Sequence, residues 1–310
     1  MAIYLIKKPA EGLFGEEPEK RTITKLLDYG IVVIDKPKGP TTHQIADFVK
    51  NILEIKKCGH SGSLDPGVTG VVVIGLGKST KIVNYLLKAP KKYVCIMHIH
   101  KAVEEEKIRE TMNEFVGKIE QLPPIKSAVK RVKRTKRIYS IKILEIEGQD
   151  VLFEVECEAG TYIRKLCHDI GEKLKTGAHM AELRRTKVGP FNEKNATTLH
   201  NLKDAFVFWK EEGKEEELRK ILLPVETAVS FLKKIWVLDS AIRSLTHGAS
   251  LKIPGVAKVS EGIKKGEIVA IMTLKGELIA TARAEMSSEE IMTADKGVVV
   301  TTERVFMEPL

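Results

Sequence analysis

Residues 59–74 read Gly59-His60-Ser61-Gly62-Ser63-Leu64-Asp65-Pro66-Gly67-Val68-Thr69-Gly70-Val71-Val72-Val73-Ile74. The four glycines and the proline predict a loop with unusual backbone angles, because glycine adopts positive φ without steric cost. The apolar run that follows predicts a buried strand. A tight loop with a single carboxylate, Asp65, and a single imidazole, His60, is a suitable mount for a reacting group.

The glycines do not form a phosphate-binding motif. A P-loop needs a glycine, four residues, and then Gly-Lys-Ser/Thr. Gly77-Lys78-Ser79 supplies the end of that motif, but Val72 stands where the first glycine belongs. The glycine pair at 62 and 67 has the spacing, but Val68 replaces the lysine, and Thr80 replaces the third glycine of a dinucleotide fingerprint. These departures exclude a P-loop kinase or ATPase.

The composition is that of a folded chain with a polyanionic partner. Of 310 residues, 43% are hydrophobic and 30% are charged, which is typical of globular proteins rather than disordered ones. The 51 basic residues exceed the 42 acidic ones, giving a net charge of +9. A positive balance favours binding to a polyanion, although most of these charges must lie on solvated surface.

The cysteines indicate a reducing compartment, and the absence of long apolar runs argues against a membrane-spanning segment. Cys58, Cys95, Cys157 and Cys167 lie in or beside apolar runs, and no pair has CxxC spacing. This pattern favours buried free thiols over a disulfide framework or a zinc site. The N-terminus lacks the order of a signal peptide, and no run reaches the ~20 apolar residues that span a bilayer. We expect a soluble, cytoplasmic protein.

Hydrophobic periodicity predicts mixed α and β structure around the loop. Apolar residues at three-and-four spacing predict a helix that begins at Thr41 or Thr42. Short apolar or alternating runs predict strands at 29–35, 71–74, 94–100, 138–146, 151–159 and 183–190. Further helices are predicted at 80–87, 103–116, 165–174 and 210–220.

The last part of the chain has an all-β pattern. Strands are predicted at 236–238, 268–274, 278–283 and 298–302, with a tight turn at Lys275-Gly276. Ser287 and Glu290 form a capping box for one helical turn. About 78 residues of this kind suit a small barrel.

A basic run with no acidic residue lies in the middle of the chain. Charge runs are usually solvated faces, but such faces in this Glu-rich chain normally contain interspersed acids. We therefore favour contact with a phosphate backbone over a merely solvated face. The run contains Lys126, Lys130, Arg131, Lys133, Arg134, Lys136 and Arg137.

Taken one at a time, several candidate residues have ordinary structural explanations. Asp65 suits a turn, because Leu-Asp-Pro-Gly is good turn chemistry. His98 and His100 alternate on a predicted strand, but two histidines without a third ligand favour surface or core positions over a metal site. By pattern alone, Tyr93 and Tyr162 are half-buried packing residues.

Several separate motifs in one order nevertheless resemble the TruB family of pseudouridine synthases, and more closely its dyskerin-like branch, the catalytic subunits of H/ACA guide-RNA particles. The resemblance covers about residues 28–227, and the C-terminal segment is similar to a PUA domain. The motifs are the loop 59–70, Asp35-Lys36-Pro37-Lys38-Gly39, Lys92-Tyr93, Gln121-Leu122-Pro123-Pro124, Gly160-Thr161-Tyr162-Ile163-Arg164, Cys167-His168-Asp169-Ile170-Gly171, Gly177-Ala178-His179-Met180 and Leu183-Arg184-Arg185-Thr186.

The resemblance implies an α+β fold: a catalytic domain on a mixed, largely antiparallel sheet flanked by helices, plus a small PUA-like β-barrel. It implies an N-terminal extension at 1–27 that packs on the PUA domain, a catalytic domain at 28–231 and a PUA RNA-binding domain at 232–310.

The resemblance also implies roles for individual residues. Asp65 matches the catalytic aspartate that attacks the target nucleotide, Arg164 the arginine that pairs with it, and Tyr93 the tyrosine that stacks on the uracil. Burial beside an apolar pocket would disfavour the ionised carboxylate, and Arg164 would restore it. The remaining matches are to substrate-binding residues: Tyr162 and Leu183 line the base pocket, His60 lies beside the flipped nucleotide, and Lys36 supports the loop. Arg184 lies in a motif of the same branch, and we expect it to contact RNA.

The implied activity is isomerisation of uridine to pseudouridine in ribosomal RNA, with no cofactor and no metal. The implied partners are an H/ACA guide RNA with its target rRNA or tRNA, a zinc-ribbon-like subunit, a β-barrel subunit, and a kink-turn RNA binder bridged through the RNA. Two alternatives stay open: a stand-alone tRNA T-loop enzyme and a non-catalytic RNA-binding scaffold. The compact basic run favours a guided substrate, and the absence of a Lys-rich tail favours an archaeal source.

Overall fold

The structure, a computed structural model, describes residues 2–6, 12–122 and 132–309. Within those ranges the strands form one ten-stranded and one seven-stranded sheet. The strands are β1 Ile3–Leu5, β2 Gly30–Lys36, β3 Cys58–His60, β4 Thr69–Leu76, β5 Lys91–Ile99, β6 Gly117–Gln121, β7 Arg134–Glu147, β8 Asp150–Cys157, β9 Ala178–Val188, β10 Phe191–Asn192, β11 Leu223–Pro224, β12 Lys234–Val237, β13 Leu251–Lys252, β14 Val256–Ser260, β15 Ile268–Met272, β16 Leu278–Ala284 and β17 Val298–Val305.

The α-helices are short and flank these sheets. They are α1 Ile23–Tyr29, α2 Thr42–Ile52, α3 Val83–Lys88, α4 Glu105–Asn113, α5 Ile163–Leu174, α6 Leu199–Glu212, α7 Glu216–Ile221, α8 Asp239–Thr246 and α9 Ser288–Thr293. In the part of the chain that the structure describes, no helix has the length and apolar character needed to cross a membrane.

The ten-stranded sheet is mixed but largely antiparallel. Its order is β11-β2-β4-β9-β5-β8-β7-β6, with β10 beside β9 and β3 beside β4. Among the pairs of described strands in this sheet, β4 with β9 is the parallel one, through Thr69 opposite Arg184 and Gly70 opposite Arg185. The predicted α+β class is confirmed, and the parallel pair places the end of the loop 59–70 against β9.

The seven-stranded sheet has the order β1-β14-β12-β15-β16-β17-β13. Strand β1 pairs antiparallel with β14, with Ile3 opposite Ser260, so the N-terminal residues join this C-terminal sheet. Helix α1 spans residue 27, and its Ile23 and Leu26 pack instead in the core of the ten-stranded sheet. The domain boundaries themselves stay predictions.

Local sequence accounts for the helix that precedes the loop 59–70. Thr41, one of the two predicted caps, forms a capping box with Gln44 at the start of α2. Ile45 and Val49 are fully buried on one face. Phe48, which is three residues after Ile45, is 44% exposed, so the buried stripe of α2 is narrow.

The prediction of a single charged helix at 210–220 is wrong. Helix α6 begins eleven residues earlier and ends at Gly213, whose φ of +70° closes the helix in the left-handed region. A separate short helix, α7, follows. Leu202 and Phe206 of α6 are buried, so this segment packs on the first core instead of lying at the periphery.

The two sheets are joined by a shared apolar cluster and a buried ion-pair network. The cluster contains Val71 of β4 and Met272 of β15. Arg21, 4% exposed, donates to both carboxylate oxygens of Glu226 and to Glu277 of the loop before β16. Burial lowers the pKa of Arg21, but the carboxylates of Glu226 and Glu277 raise it by more, so the net shift is upward. The guanidinium therefore fixes the second sheet against the first.

We expect Arg21→Met to decrease the free energy of unfolding by about 3–5 kcal/mol, because it leaves two carboxylates without their buried cation. Thermal or urea unfolding followed by circular dichroism measures this loss. Lys20→Met is the matched control, since its pair with Glu17 is exposed and is expected to contribute at most about 1 kcal/mol. Equal losses in the two variants would contradict a role for Arg21 in joining the sheets.

Candidate active site

Asp65 and Arg164 contact each other beside the ten-stranded sheet. Asp65 lies in the loop between β3 and β4, and Arg164 is the second residue of α5. The Arg164 guanidinium donates a hydrogen bond to the Asp65 carboxylate and forms an ion pair with it. Their side chains are 57% and 50% exposed, so the protein alone does not provide the desolvated surroundings expected for Asp65. The predicted pairing of the two residues is present.

Lys36 supports the loop 59–70 through hydrogen bonds to backbone carbonyls. Its side chain is completely buried, and its ammonium donates to the carbonyl oxygens of Pro37 at 2.9 Å, Pro66 at 3.1 Å and Val68 at 2.7 Å. Two of these acceptors, Pro66 and Val68, are one and three residues after Asp65. Burial lowers the pKa of Lys36, as does the nearby Arg185, whereas Asp65 raises it. Lys36 therefore satisfies the loop carbonyls and adds a positive charge near the carboxylate.

Tyr93 and Arg185 lie opposite each other on β5 and β9. Arg185 is 1% exposed, and its guanidinium donates to the carbonyl of Val71 at 2.7 Å and to that of Gly62 at 3.2 Å. Burial raises the pKa of the Tyr93 phenol, and the guanidinium of Arg185 lowers it, with a net upward shift. Tyr93 is therefore a neutral phenol at neutral pH.

The corner that carries Tyr162 and Arg164 is fixed by a buried amide. Gln121 of β6 is 2% exposed, accepts from the Tyr162 backbone N–H at 2.9 Å and donates to the Tyr162 carbonyl at 3.1 Å. Helix α5 has no side-chain cap, and these paired bonds hold the backbone of its N-cap residue, Tyr162. Gln121 thereby sets where α5 begins and where Arg164 points.

His60 lies at the start of the loop as a neutral imidazole. Its ring meets His43 edge-on, with centroids 4.6 Å apart, and its Nδ1 accepts from the backbone N–H of Gly62 at 3.4 Å. Burial, His43 and Arg185 all lower the pKa of His60 below its usual value. Leu183, half-buried on β9, packs against the cores on either side of it.

The basic run divides into described and undescribed parts. Lys126, Lys130 and Arg131 lie outside the described residues. Lys133, Arg134 and Arg137 are exposed on or beside β7, and Lys133 lies 3.9 Å from Glu120. Their role in RNA binding stays a prediction.

Lys136 and Arg184 have internal partners. Lys136 is largely buried and donates to Glu158 and to the carbonyl of Ala159 at the corner before α5. Arg184 donates to both oxygens of Asp35 and to Glu193, and it is about one-third exposed. Both side chains stabilise the walls of the site, so an RNA contact by either would have to compete with these bonds.

A third histidine joins His98 and His100 at the far end of β5. His100 Nε2 lies 2.9 Å from His179 Nδ1, and His98 Nδ1 lies 2.7 Å from Asp150. Across residues 2–6, 12–122 and 132–309, no group of three or more His, Cys, Asp or Glu side chains is arranged to hold a metal ion. The four cysteines are free thiols.

The sequence did not predict roles for two residues of the site. Gln121 belongs to the Gln121-Leu122-Pro123-Pro124 motif but had no assigned role, and Arg185 could not be distinguished from its neighbour Arg184. The alternation of a strand is the signal that separates the two arginines, because successive side chains point to opposite faces. The pattern alone does not say which face is buried.

Comparison with known proteins adds four domain matches along the chain. Residues 50–163 match the N-terminal domain of TruB family pseudouridylate synthases, and residues 164–230 match the C-terminal domain of tRNA pseudouridylate synthase B. Residues 233–306 match the PUA domain, and residues 8–46 match the DKCLD (NUC011) domain.

Similar full-length proteins come from archaea. The "Probable tRNA pseudouridine synthase B" of Methanothermobacter thermautotrophicus is 53% identical over 296 residues, which are 96% of this chain and 91% of that protein. The protein of the same name from Methanocaldococcus jannaschii is 52% identical over 295 residues, covering 95% of this chain and 88% of the relative.

Similar solved structures contain protein and RNA partners. A chain in a Cbf5-Nop10-Gar1 complex aligns with a TM-score of 0.94 and 50% identity, over 99% of this chain and 94% of that one. A chain in an H/ACA RNP bound to a substrate RNA containing 2′-deoxyuridine aligns with a TM-score of 0.91 and 47% identity, over 99% and 95%.

We expect Lys36→Met to lower the free energy of unfolding by about 1–3 kcal/mol, because three carbonyls, of which that of Val68 is buried, lose their donor. Urea unfolding measures the loss. Lys38→Met is the control, since Lys38 is exposed two residues away and its replacement should change stability by less than about 0.5 kcal/mol. Equal stability of the two variants would contradict the loop-holding role of Lys36.

Proposed function

The chain belongs to the TruB family of pseudouridine synthases, and from that premise we propose that it is the catalytic subunit of an H/ACA-type guide-RNA particle, with Asp65 as nucleophile. The family expected from the sequence motifs is confirmed, and so is an RNA pseudouridine synthase as the class of enzyme. The observation that supports the proposed site is the contact between Asp65 and Arg164 across 99 residues of chain.

The geometry explains how these residues would carry the reaction. Isomerisation breaks the bond between C1′ and N1 of uridine and forms a bond between C1′ and C5. C5 loses a proton and N1 gains one, with no net gain or loss of atoms or electrons. Asp65 supplies the attacking carboxylate, and Arg164 orients it through their ion pair. Tyr93, on β5, would offer a ring for the detached uracil and a hydroxyl for proton transfer.

The exposed position of Asp65 suits a substrate that arrives as RNA. A base in structured RNA must be flipped out before it reaches the carboxylate, at a cost of a few kcal/mol that stacking on an aromatic ring offsets. Arrival of the nucleotide would cover the two half-exposed side chains and strengthen their ion pair, because the local dielectric falls. Tyr162, two residues before Arg164, and Leu183, on the strand beside that of Tyr93, would contact the base.

We further propose the partners by analogy with the solved complexes. The similar chains assemble with Nop10 and Gar1, and one is bound to substrate RNA. A zinc-ribbon-like and a β-barrel subunit would therefore bind this chain, together with a guide RNA and a kink-turn RNA binder held through that RNA. The PUA domain and the basic run would bind RNA. The archaeal relatives support an archaeal cytoplasmic setting.

A second candidate function is isomerisation of tRNA without a guide. The observation that favours it is the name of the curated archaeal relatives, which describes a tRNA enzyme. The chemistry at Asp65 would be the same, and the two functions differ only in how the target uridine is selected.

Asp65→Asn tests the nucleophile. We expect the rate of pseudouridine formation to fall by at least about 10³-fold while binding of target RNA is retained, because the amide keeps the shape but loses the attacking charge. The measurement is single-turnover release of tritium from C5-labelled uridine. Asp47→Asn, an exposed change on α2, is the control. An unchanged rate in Asp65→Asn would remove Asp65 from catalysis and favour a non-catalytic scaffold.

Lys133→Glu combined with Arg134→Glu tests the basic run. If both side chains contact phosphates, RNA affinity falls and the slope of log K against log salt is reduced by about 1–2. Filter binding at several salt concentrations gives the slope. Lys107→Glu with Arg109→Glu on α4 makes the same change in net charge as a control. Equal effects of the two pairs would make the run a solvated face.

A further inference from the structure

Arg185 is a completely buried cation whose hydrogen-bond acceptors, among the described residues, are backbone carbonyl oxygens. Its Nε donates to the Val71 carbonyl at 2.7 Å, its Nη2 to the Gly62 carbonyl at 3.2 Å and its Nη1 to the Ser63 carbonyl at 3.5 Å. Among the described residues, no carboxylate lies within ion-pair distance of it. A buried charge without an anionic partner is costly, so the position requires an explanation beyond packing.

The location of Arg185 links the two halves of the site. On one side β9 pairs with β4, where Gly70 lies opposite Arg185; on the other it pairs with β5, where Tyr93 lies opposite. A Cβ on Gly70 would lie 2.1 Å from the Arg185 carbonyl oxygen, and Gly70 has a φ of +107°. Only glycine allows this approach, which brings the guanidinium under the loop.

Arg185 adjoins both predicted catalytic groups. Gly62 and Ser63 are three and two residues before Asp65, so their carbonyls fix the loop that carries the carboxylate. Tyr93 lies directly opposite Arg185 on β5, and the guanidinium lowers the pKa of its phenol.

We propose that Arg185 is a positioning residue for the isomerisation, which holds the Asp65 loop and the Tyr93 hydroxyl in one fixed relation. This inference rests on the proposed function, because it assigns the loop and the tyrosine their catalytic roles. A lysine could keep the charge at this position but not the planar fork that reaches several acceptors at once. An apolar side chain of similar length would fill the space and orient neither partner.

The test uses the full chain in the assembly in which the wild-type protein forms pseudouridine. We expect Arg185→Lys to reduce the single-turnover rate constant at least tenfold, with the Kd for target RNA within threefold of wild type. Arg21→Met is the matched control, because it removes a buried guanidinium far from the site. It should lower the melting temperature and leave the rate constant unchanged below that temperature.

Two further readouts separate positioning from a general loss of stability. In a Tyr93→Phe background the penalty of Arg185→Lys should shrink, because one of the two groups that Arg185 positions has been removed. In the RNA-free chain, labelled tyrosine NMR should show Tyr93 titrating at higher pH in Arg185→Met, since a nearby positive charge favours the phenolate.

Rate constants within threefold of wild type for Arg185→Lys would overturn the inference, as would the same penalty with and without the Tyr93 hydroxyl. Where Arg185→Met does not fold, Arg185→Lys decides the matter alone. If the wild-type chain itself forms no pseudouridine, the proposed function fails instead; an unmoved Tyr93 titration would then still count against the coupling of Arg185 to Tyr93.

Discussion

At Gly70 the backbone of β4 runs so close to β9 that any side chain there would collide with the Arg185 backbone. This approach allows the parallel pairing of the two strands, and the pairing places the loop 61–68 beside β9 and in front of α5. Asp65 reaches Arg164, and Arg185 reaches the loop carbonyls, because of this one contact. Strands β2, β4, β9 and β5 then form a continuous surface in which Lys36, Gly70, Arg185 and Tyr93 lie in one row across the four strands.

The charges around the loop have a common logic. The loop turns its carbonyl oxygens inward, and two buried cations, Lys36 and Arg185, satisfy them from opposite sides. Both cations have a pKa lowered by burial, so each is held by hydrogen bonds rather than by a carboxylate of its own. The Asp65 carboxylate is thereby left outside with Arg164, where an incoming nucleotide can reach it. A rigid support beneath an exposed reacting group is what preorganised catalysis requires.

Much of this arrangement could be predicted from the sequence, and the exceptions have physical causes. Helix α2 follows from its cap and its apolar spacing, and most strands follow from short apolar runs. The bounds of helix α6 were missed although Leu202, Phe206 and Trp209 have helical spacing, because the prediction followed the charged stretch 210–220, which Gly213 divides into two helices. Arg184 and Arg185 are identical in type and adjacent in sequence, but one lies in a half-exposed ion pair and the other in the core. Only the pairing of β9 with its neighbours separates them.

The central claim, that a guide RNA directs the Asp65 site to its uridine, is tested most directly by mapping pseudouridine at nucleotide resolution. Target rRNA and tRNA would each be incubated with the wild-type chain, its small protein partners and either a matched guide, a guide redirected to another uridine, or none. If the guide selects the target, one rRNA uridine is modified, the modified position changes when the guide is redirected, and no rRNA uridine is modified without a guide. Modification of rRNA without any guide, or at a position that the guide does not determine, would contradict it.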